Sequence, residues 1–204
     1  MELLRIALTG GIATGKSHVL KRFDYYKIPT IDADTIAKDV VQVGHPANAS
    51  IRRQFGDAVF QKDGQIDRQK LAARVFDNSS ERKELEEIIH PYVRTNIDQW
   101  FERVELENTS PFAIAAIPLL FETNRQASFD RILLTICRPD NQFDRLLKRK
   151  GIDVIEAQKR IAAQLPSQHK EERADFIIST DGSYAETEHQ IKKVFDALNN
   201  QATS

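Results

Sequence analysis

GGIATGKS, residues 10–17, is the stretch from which the rest of the chain can be read. Before it stands LLRIALT (residues 3–9), apolar and strand-forming; after it comes HVLKRF (residues 18–23), which continues as helix. Gly10, Gly15, Lys16 and Ser17 satisfy G-x-x-x-x-G-K-[ST], the phosphate-binding loop that joins a strand to a helix. Glycines let successive backbone N–H groups turn inward and form an anion nest at a helix N-terminus. Lys16 reaches the β- and γ-phosphates of a nucleotide, and the Ser17 hydroxyl ligates Mg2+. Gly11, Ile12, Ala13, Thr14, Gly15, Lys16, Ser17 and His18 are therefore the expected nucleotide-binding residues. Ile12 stands where a dinucleotide fingerprint would need glycine, which excludes G-x-G-x-x-G.

The chain of 204 residues can bury one substantial core and carry an appended subdomain. Its net charge of −1 gives no field that favours nucleic acid or an anionic membrane. No apolar run reaches bilayer length, and no signal peptide is evident. The single cysteine, Cys137, lies among Leu133, Leu134 and Ile136 and reads as a core thiol; together these features favour a cytoplasmic protein.

Strand-forming runs at Leu4–Thr9, Pro29–Asp32, Phe112–Ile117, Arg131–Cys137 and Phe176–Thr180 alternate with helical ones at Lys16–Tyr25, Glu81–Val104, Pro139–Lys150, Val154–Leu165 and Ala185–Leu198. Nearly continuous apolar strands are those covered on both faces, so the pattern predicts a parallel α/β sheet with helices on both sides. Two intervals are too long for simple crossovers. Ala33–Pro111 holds a KDGQ turn (residues 62–65) and a long amphipathic helix in which Pro91 predicts a kink or restart near His90. Arg138–Arg173 holds two helices broken at Lys150-Gly151, with Asp153 and Glu156 as a capping pair. Both read as insertions at the carboxyl side of the sheet, where open α/β sheets bind ligands. Asn199–Ser204 reads as a flexible tail.

A phosphate loop does not by itself name a reaction. The N/T-K-x-D guanine signature of GTPases is absent, and Phe112–Ile117 and Arg131–Cys137 end in Pro118 and Arg138 instead of a Walker B acid. A small-molecule kinase is the leading class, with a nucleotide switch that binds without transferring as the alternative. Asp32 and Asp34, at the end of the second strand run, are candidates for water-mediated metal binding and for a general base; either could instead cap the helix beginning near Thr35. From Arg138 to Arg173 there are nine Lys and Arg against six Asp and Glu. Arg145 and Arg149 share a face at i, i+4, as do Arg160 and Gln164, and arginines there could close over phosphates or simply be solvated. His90 and Arg94 also share a helical face, and spacing alone reads them as surface residues or a pair at a helix kink.

GGIATGKS, IDADTIAKDVV, IIHPYVR, IPLLFE, RLLKRKG with RIAAQLP, and RADFIIST-DGS occur in this order and together closely resemble the dephospho-CoA kinase family, from Ile6 to about Val194. The resemblance implies a three-layer P-loop kinase fold that uses ATP and Mg2+ to phosphorylate the ribose 3′-hydroxyl of dephospho-CoA. It implies a nucleotide-binding core (residues 1–34, 111–138 and 174–198), a helical acceptor domain (35–110) and a helical lid (139–173). It makes Asp34 the general base, with Asp32 supporting it or the metal. His90 and Arg94 would face the acceptor, Leu119, Leu120 and Glu122 would line the cleft, and Arg145 and Arg149 would belong to the lid. Many members read A-D-x-x-I-x-N at the last strand. Here Ser179-Thr180 stands at its end, which leaves adenine recognition to other groups.

Overall fold

The computed structural model describes residues 2–76 and 78–202. Five strands, β1 (Leu4–Gly10), β2 (Thr30–Asp32), β3 (Phe112–Ala116), β4 (Arg131–Ile136) and β5 (Phe176–Ser179), form one parallel sheet in the order β2-β3-β1-β4-β5. Each observed strand lies within a residue of the run that predicts it. β1 is central because its backbone is paired on both edges: Leu4 faces Phe112 on one side and Ile6 faces Arg131 on the other. Its alternate residues explain the two-sided cover. Ile6 and Leu8 project to one face and Ala7 to the other, and all three are fully buried.

The chain divides into two compact units, one running to Asp32 and resuming at Phe101, the other comprising Ala33–Trp100. In the first unit, Val19 and Phe23 of α1 (Lys16–Tyr25) join Ile191, Val194 and Leu198 of α9 (Tyr184–Ala202). They meet Ile6, Leu8, Phe112, Ile114, Leu133 and Ile178 of the sheet in one apolar cluster. Phe23 and Phe112 meet edge to face at 6.4 Å. Helices α6 (Pro139–Leu147), α7 (Val154–Ala162) and α8 (Ser167–Glu171) fill the interval between β4 and β5, and α8 lies against β4. Asp153 caps α7, its carboxylate accepting from the Glu156 N–H at 2.8 Å, as the D-x-x-E pattern predicts.

In the second unit α2 (Ala33–Asp39), α3 (Pro46–Phe55) and α4 (Arg68–Phe76) join the first part of α5 (Ser79–Glu107). Ile51, Phe55, Val59, Phe60, Ile66 and Leu71 make its core, with Leu85, Ile88 and Ile89 of α5 packed against them. KDGQ forms the expected turn: Gln61 N–H donates to Gln65 C=O at 2.8 Å. α5 runs unbroken for 29 residues through Pro91, so the chain does not restart at His90. Proline there removes one ladder hydrogen bond, and burial of Val93, Ile97, Phe101 and Val104 on the following turns outweighs that loss.

α9 continues to Ala202, past the point where a tail was expected at Asn199; residues 203 and 204 of that tail lie outside the described residues. Among the described residues no helix is long and apolar enough to cross a membrane.

Candidate active site

The loop between β1 and α1 is built from constraints at both ends. At Gly10 a Cβ would sit 2.1 Å from the Thr135 hydroxyl, and at Gly15 (φ 89°) it would sit 2.9 Å from Thr180 Cγ2; only glycine fits either position. Ala13 also takes a left-handed conformation, with φ at 62°. Left-handed conformation in a residue with a side chain costs about 1–2 kcal/mol, and such strain gathers where a ligand must be cradled. The chain closes on itself through Thr14 N–H to Gly11 C=O at 3.2 Å, and α1 starts with His18 N–H on Gly15 C=O at 2.9 Å. Lys16 and Ser17 occupy the first turn of α1, Lys16 half-buried and Ser17 exposed. Residues 11–17 thus make the tight strand-to-helix turn that the sequence predicts, ending at the N-terminus of α1, where the helix dipole favours an anion.

Side chains from distant elements hold this loop from behind. The buried Thr14 hydroxyl lies 2.8 Å from Gly11 C=O and 2.9 Å from the Thr135 hydroxyl of β4. The Thr180 hydroxyl donates to Thr14 C=O at 3.0 Å. Arg145 Nη1 donates to that same hydroxyl at 2.8 Å, and Nη2 donates to Thr180 C=O at 2.5 Å. Ile12 is held at both polar groups: its N–H donates to Gln164 Oε1 at 2.7 Å, and its C=O accepts from Gln142 Nε2 at 2.8 Å. No sequence signal gives Gln142, Thr135 or Thr180 this role, since each acts on a residue more than a hundred positions away; Thr180 stood out only at the end of the last strand run. Gln164 was visible only as a neighbour of Arg160.

The expected lid faces differ in detail. α6 ends at Leu147, with Lys148 as its C-cap, so Arg149 lies beyond the helix and is exposed instead of sharing a face with Arg145. α7 ends at Ala162, so Gln164 leaves the Arg160 face and reaches Ile12; Arg160 pairs with Glu156 at 2.5 Å. Gly151, at φ 79°, supplies the reversal between the two helices. Arg145 turns toward the back of the phosphate loop.

His18 Nε2 lies 3.2 Å from the Glu188 carboxylate, which Arg22 also holds at 2.6 Å, and Tyr184 meets the His18 ring edge to face at 5.4 Å. Of the PLLFE residues, Leu120 is fully buried core and Leu119 half-buried. Glu122 Oε1 lies 2.8 Å from the ammonium of buried Lys170 and accepts the Leu165 N–H at 3.0 Å. Cys137 is a buried thiol, as expected; burial pushes its pKa up despite nearby Arg145. Asp181, just after Thr180, accepts from the Arg138 N–H at 2.7 Å and the Asn141 amide at 2.8 Å. Burial pushes its carboxyl up, but these donors, the Ser179 hydroxyl and the Arg138 charge outweigh burial and hold its pKa below the ordinary aspartate range.

Asp32 is the last residue of β2, half-buried and in register with Ala116. Asp34 is not at the strand end: α2 begins at Ala33, which puts Asp34, exposed, in its first turn, where the helix dipole favours a carboxylate. His90 and Arg94 lie four residues apart on α5 in the smaller unit, His90 half-buried and Arg94 exposed. Among the described residues no group of three or more His, Cys, Asp or Glu could hold a metal. Mg2+ is nonetheless compatible with the oxygens present, because it takes few protein ligands and completes its shell with phosphate and water. The exposed Ser17 hydroxyl suits that arrangement.

A sequence profile of the dephospho-CoA kinase family matches residues 4–186. A dephospho-CoA kinase from Bacillus cereus (strain ATCC 10987 / NRS 248) is 41% identical over 194 residues, covering 95% of this chain and 96% of that protein. Among solved structures, a Thermus thermophilus protein superposes with a TM-score of 0.83 at 29% identity, over 97% of this chain and 99% of its own. Dephospho-CoA kinase from Campylobacter jejuni superposes with a TM-score of 0.73 at 26% identity, over 97% and 98% of the two chains.

Proposed function

We propose, from the premise that this chain belongs to the dephospho-CoA kinase family and makes CoA and ADP from dephospho-CoA and ATP, the following division of labour among its residues. N–H groups of the loop and Lys16 hold the donor phosphates, and Ser17 and Asp32 are the residues that would hold Mg2+. Bound there, Mg2+ would neutralise phosphate charge. Asp34 accepts the proton of the ribose 3′-hydroxyl as its oxygen bonds to the γ-phosphorus and the bond to the β-γ bridging oxygen breaks. His90 and Arg94 orient the acceptor, together with Leu119. Leu120 supports that wall from the core. Arg149, exposed beyond α6, is the lid cation that moves toward the transferring group. Arg145 acts on the loop from behind. The lid, residues 139–173, excludes water, and residues 35–110 bind the acceptor. These reactants are small and soluble, which fits a cytoplasmic enzyme.

The observation that carries this reading is the loop itself: a strained, glycine-dependent nest at the start of α1, with Lys16 and Ser17 in that helix's first turn. The test is ADP release from Mg·ATP with and without dephospho-CoA, with the product identified by mass. Acceptor-dependent ADP release with CoA as product is the expected result. ADP release that ignores dephospho-CoA would defeat the acceptor assignment, and full activity of Lys16→Ala would defeat the role given to the loop.

A further inference from the structure

We infer that Glu122 is a positioning residue for the donor-phosphate loop: through buried Lys170 and the Leu165 amide it fixes the return of the lid, so that Gln164 holds Ile12. This rests on the phosphate-binding role of residues 11–17 and goes beyond it.

The argument starts with Lys170. This residue is 1% exposed, and an ammonium so buried needs a countercharge. Glu122 supplies it at 2.8 Å, from the turn that follows β3. That turn is itself fixed: Leu120 and Phe121 are buried, Thr123 N–H donates to Leu119 C=O at 3.0 Å, and Arg125 N–H donates to Leu120 C=O at 3.0 Å. The carboxylate is therefore a fixed point. The oxygen that meets Lys170 also accepts the Leu165 N–H at 3.0 Å, which pins the chain between α7 and α8.

Gln164 is one peptide away from that pin. Its side-chain oxygen takes the Ile12 N–H at 2.7 Å while Gln142, from α6, donates to Ile12 C=O at 2.8 Å. With both polar groups of Ile12 satisfied, that residue cannot turn its N–H toward a ligand. The N–H groups that serve the phosphates come after it, at Ala13 and in the first turn of α1, since that of Thr14 is also used, on Gly11 C=O at 3.2 Å. Glu122 thus sets the conformation of the donor loop through two fixed steps. This differs from lining the acceptor cleft, the role that the family resemblance gives it.

The test uses the full chain with both substrates varied and thermal unfolding measured alongside. Gln164→Ala, which disturbs no buried charge, should raise the KM for ATP about tenfold, the size of one well-made hydrogen bond. The KM for dephospho-CoA should stay within about twofold, since the loop holds only the donor phosphates. Glu122→Gln should show the same split with a lower Tm. The paired change Glu122→Leu with Lys170→Met replaces the ion pair by apolar contact, which commonly restores folding. It removes the pin on Leu165, so it should still show the raised KM for ATP. A double variant with the wild-type KM for ATP would reduce the pair to a structural element and overturn the proposal. So would a Glu122→Gln effect confined to the KM for dephospho-CoA. Lys16→Ala separates the two layers of the argument: its loss of activity together with an unchanged Gln164→Ala enzyme would sink this inference and leave the loop's role intact.

Discussion

Thr180 donates its hydroxyl proton to Thr14 C=O at 3.0 Å, fastening the end of the last strand to the back of the phosphate loop. The same oxygen accepts from Arg145 at 2.8 Å, so it is used in both directions. Its hydroxyl is therefore committed to the loop. Thr180→Val keeps the shape and removes the hydroxyl, leaving Thr14 C=O and Arg145 Nη1 each short of a partner. Stability should fall by about 1–3 kcal/mol, with a higher KM for ATP. Urea unfolding with unchanged midpoint would show that the bond contributes nothing.

Asp34 stands in the first turn of α2 and is proposed as the general base. Asp34→Asn keeps size and hydrogen bonding but cannot take a proton. Turnover should drop about 10²- to 10⁴-fold, while the Kd for ATP stays near wild type. Calorimetric ATP titration beside steady-state rates checks this; equal losses in both would remove Asp34 from the base role.

Ala13, at φ 62°, carries strain of about 1–2 kcal/mol that glycine would not. Glycine adds about 0.5–1 kcal/mol of unfolded-chain entropy to be lost on folding. Ala13→Gly should therefore stabilise the protein by up to about 1.5 kcal/mol, and the freer loop should bind ATP less tightly. A destabilised variant in urea would mean that this backbone is not strained.

Asp181 has its pKa held below the ordinary aspartate value, so its contribution to stability is complete above about pH 4, the unfolded aspartate pKa. As pH falls through the lower folded value that contribution disappears, because the folded state resists the proton that the unfolded chain accepts. Asp181→Asn should be less stable at neutral pH and should lose less on acidification. An acid unfolding curve parallel to wild type would show that the carboxylate does not carry the dependence.

The parts of the fold that were legible are those whose signal is local. LLRIALT followed by GGIATGKS states strand, nest and helix within fifteen residues, and the apolar runs of β3 and β4 show burial on both faces. Helices α3 and α4 were not legible, because each is short and buries few residues: Ala47, Asn48, Ile51 and Phe55 in one, Leu71 alone in the other. Strand order was equally hidden, since pairing β1 with β3 is a choice made across more than a hundred residues. The site divides in the same way. Lys16 and Ser17 are written in the motif. Gln142, Gln164, Thr180 and the Glu122–Lys170 pair act through folded proximity, and no spacing in the chain encodes them. The restart expected at Pro91 and the i, i+4 face expected for Arg145 and Arg149 failed for a related reason: local rules set preferences, and packing or a nearby glycine decides where a helix stops.

The central place of β1 has a consequence for synthesis. Both its neighbours come late, since Leu4 pairs with Phe112 and Ile6 with Arg131. A ribosome adding about 5–20 residues per second needs roughly 5–20 s to travel from the first strand to its earliest partner. For that time an apolar, β-prone segment has no sheet to join. A ribosome-bound chain truncated before Phe112 should accordingly leave residues 4–10 open to protease, and extension past Ile136 should protect them. In the cell, that interval is when this protein most depends on being shielded from its neighbours.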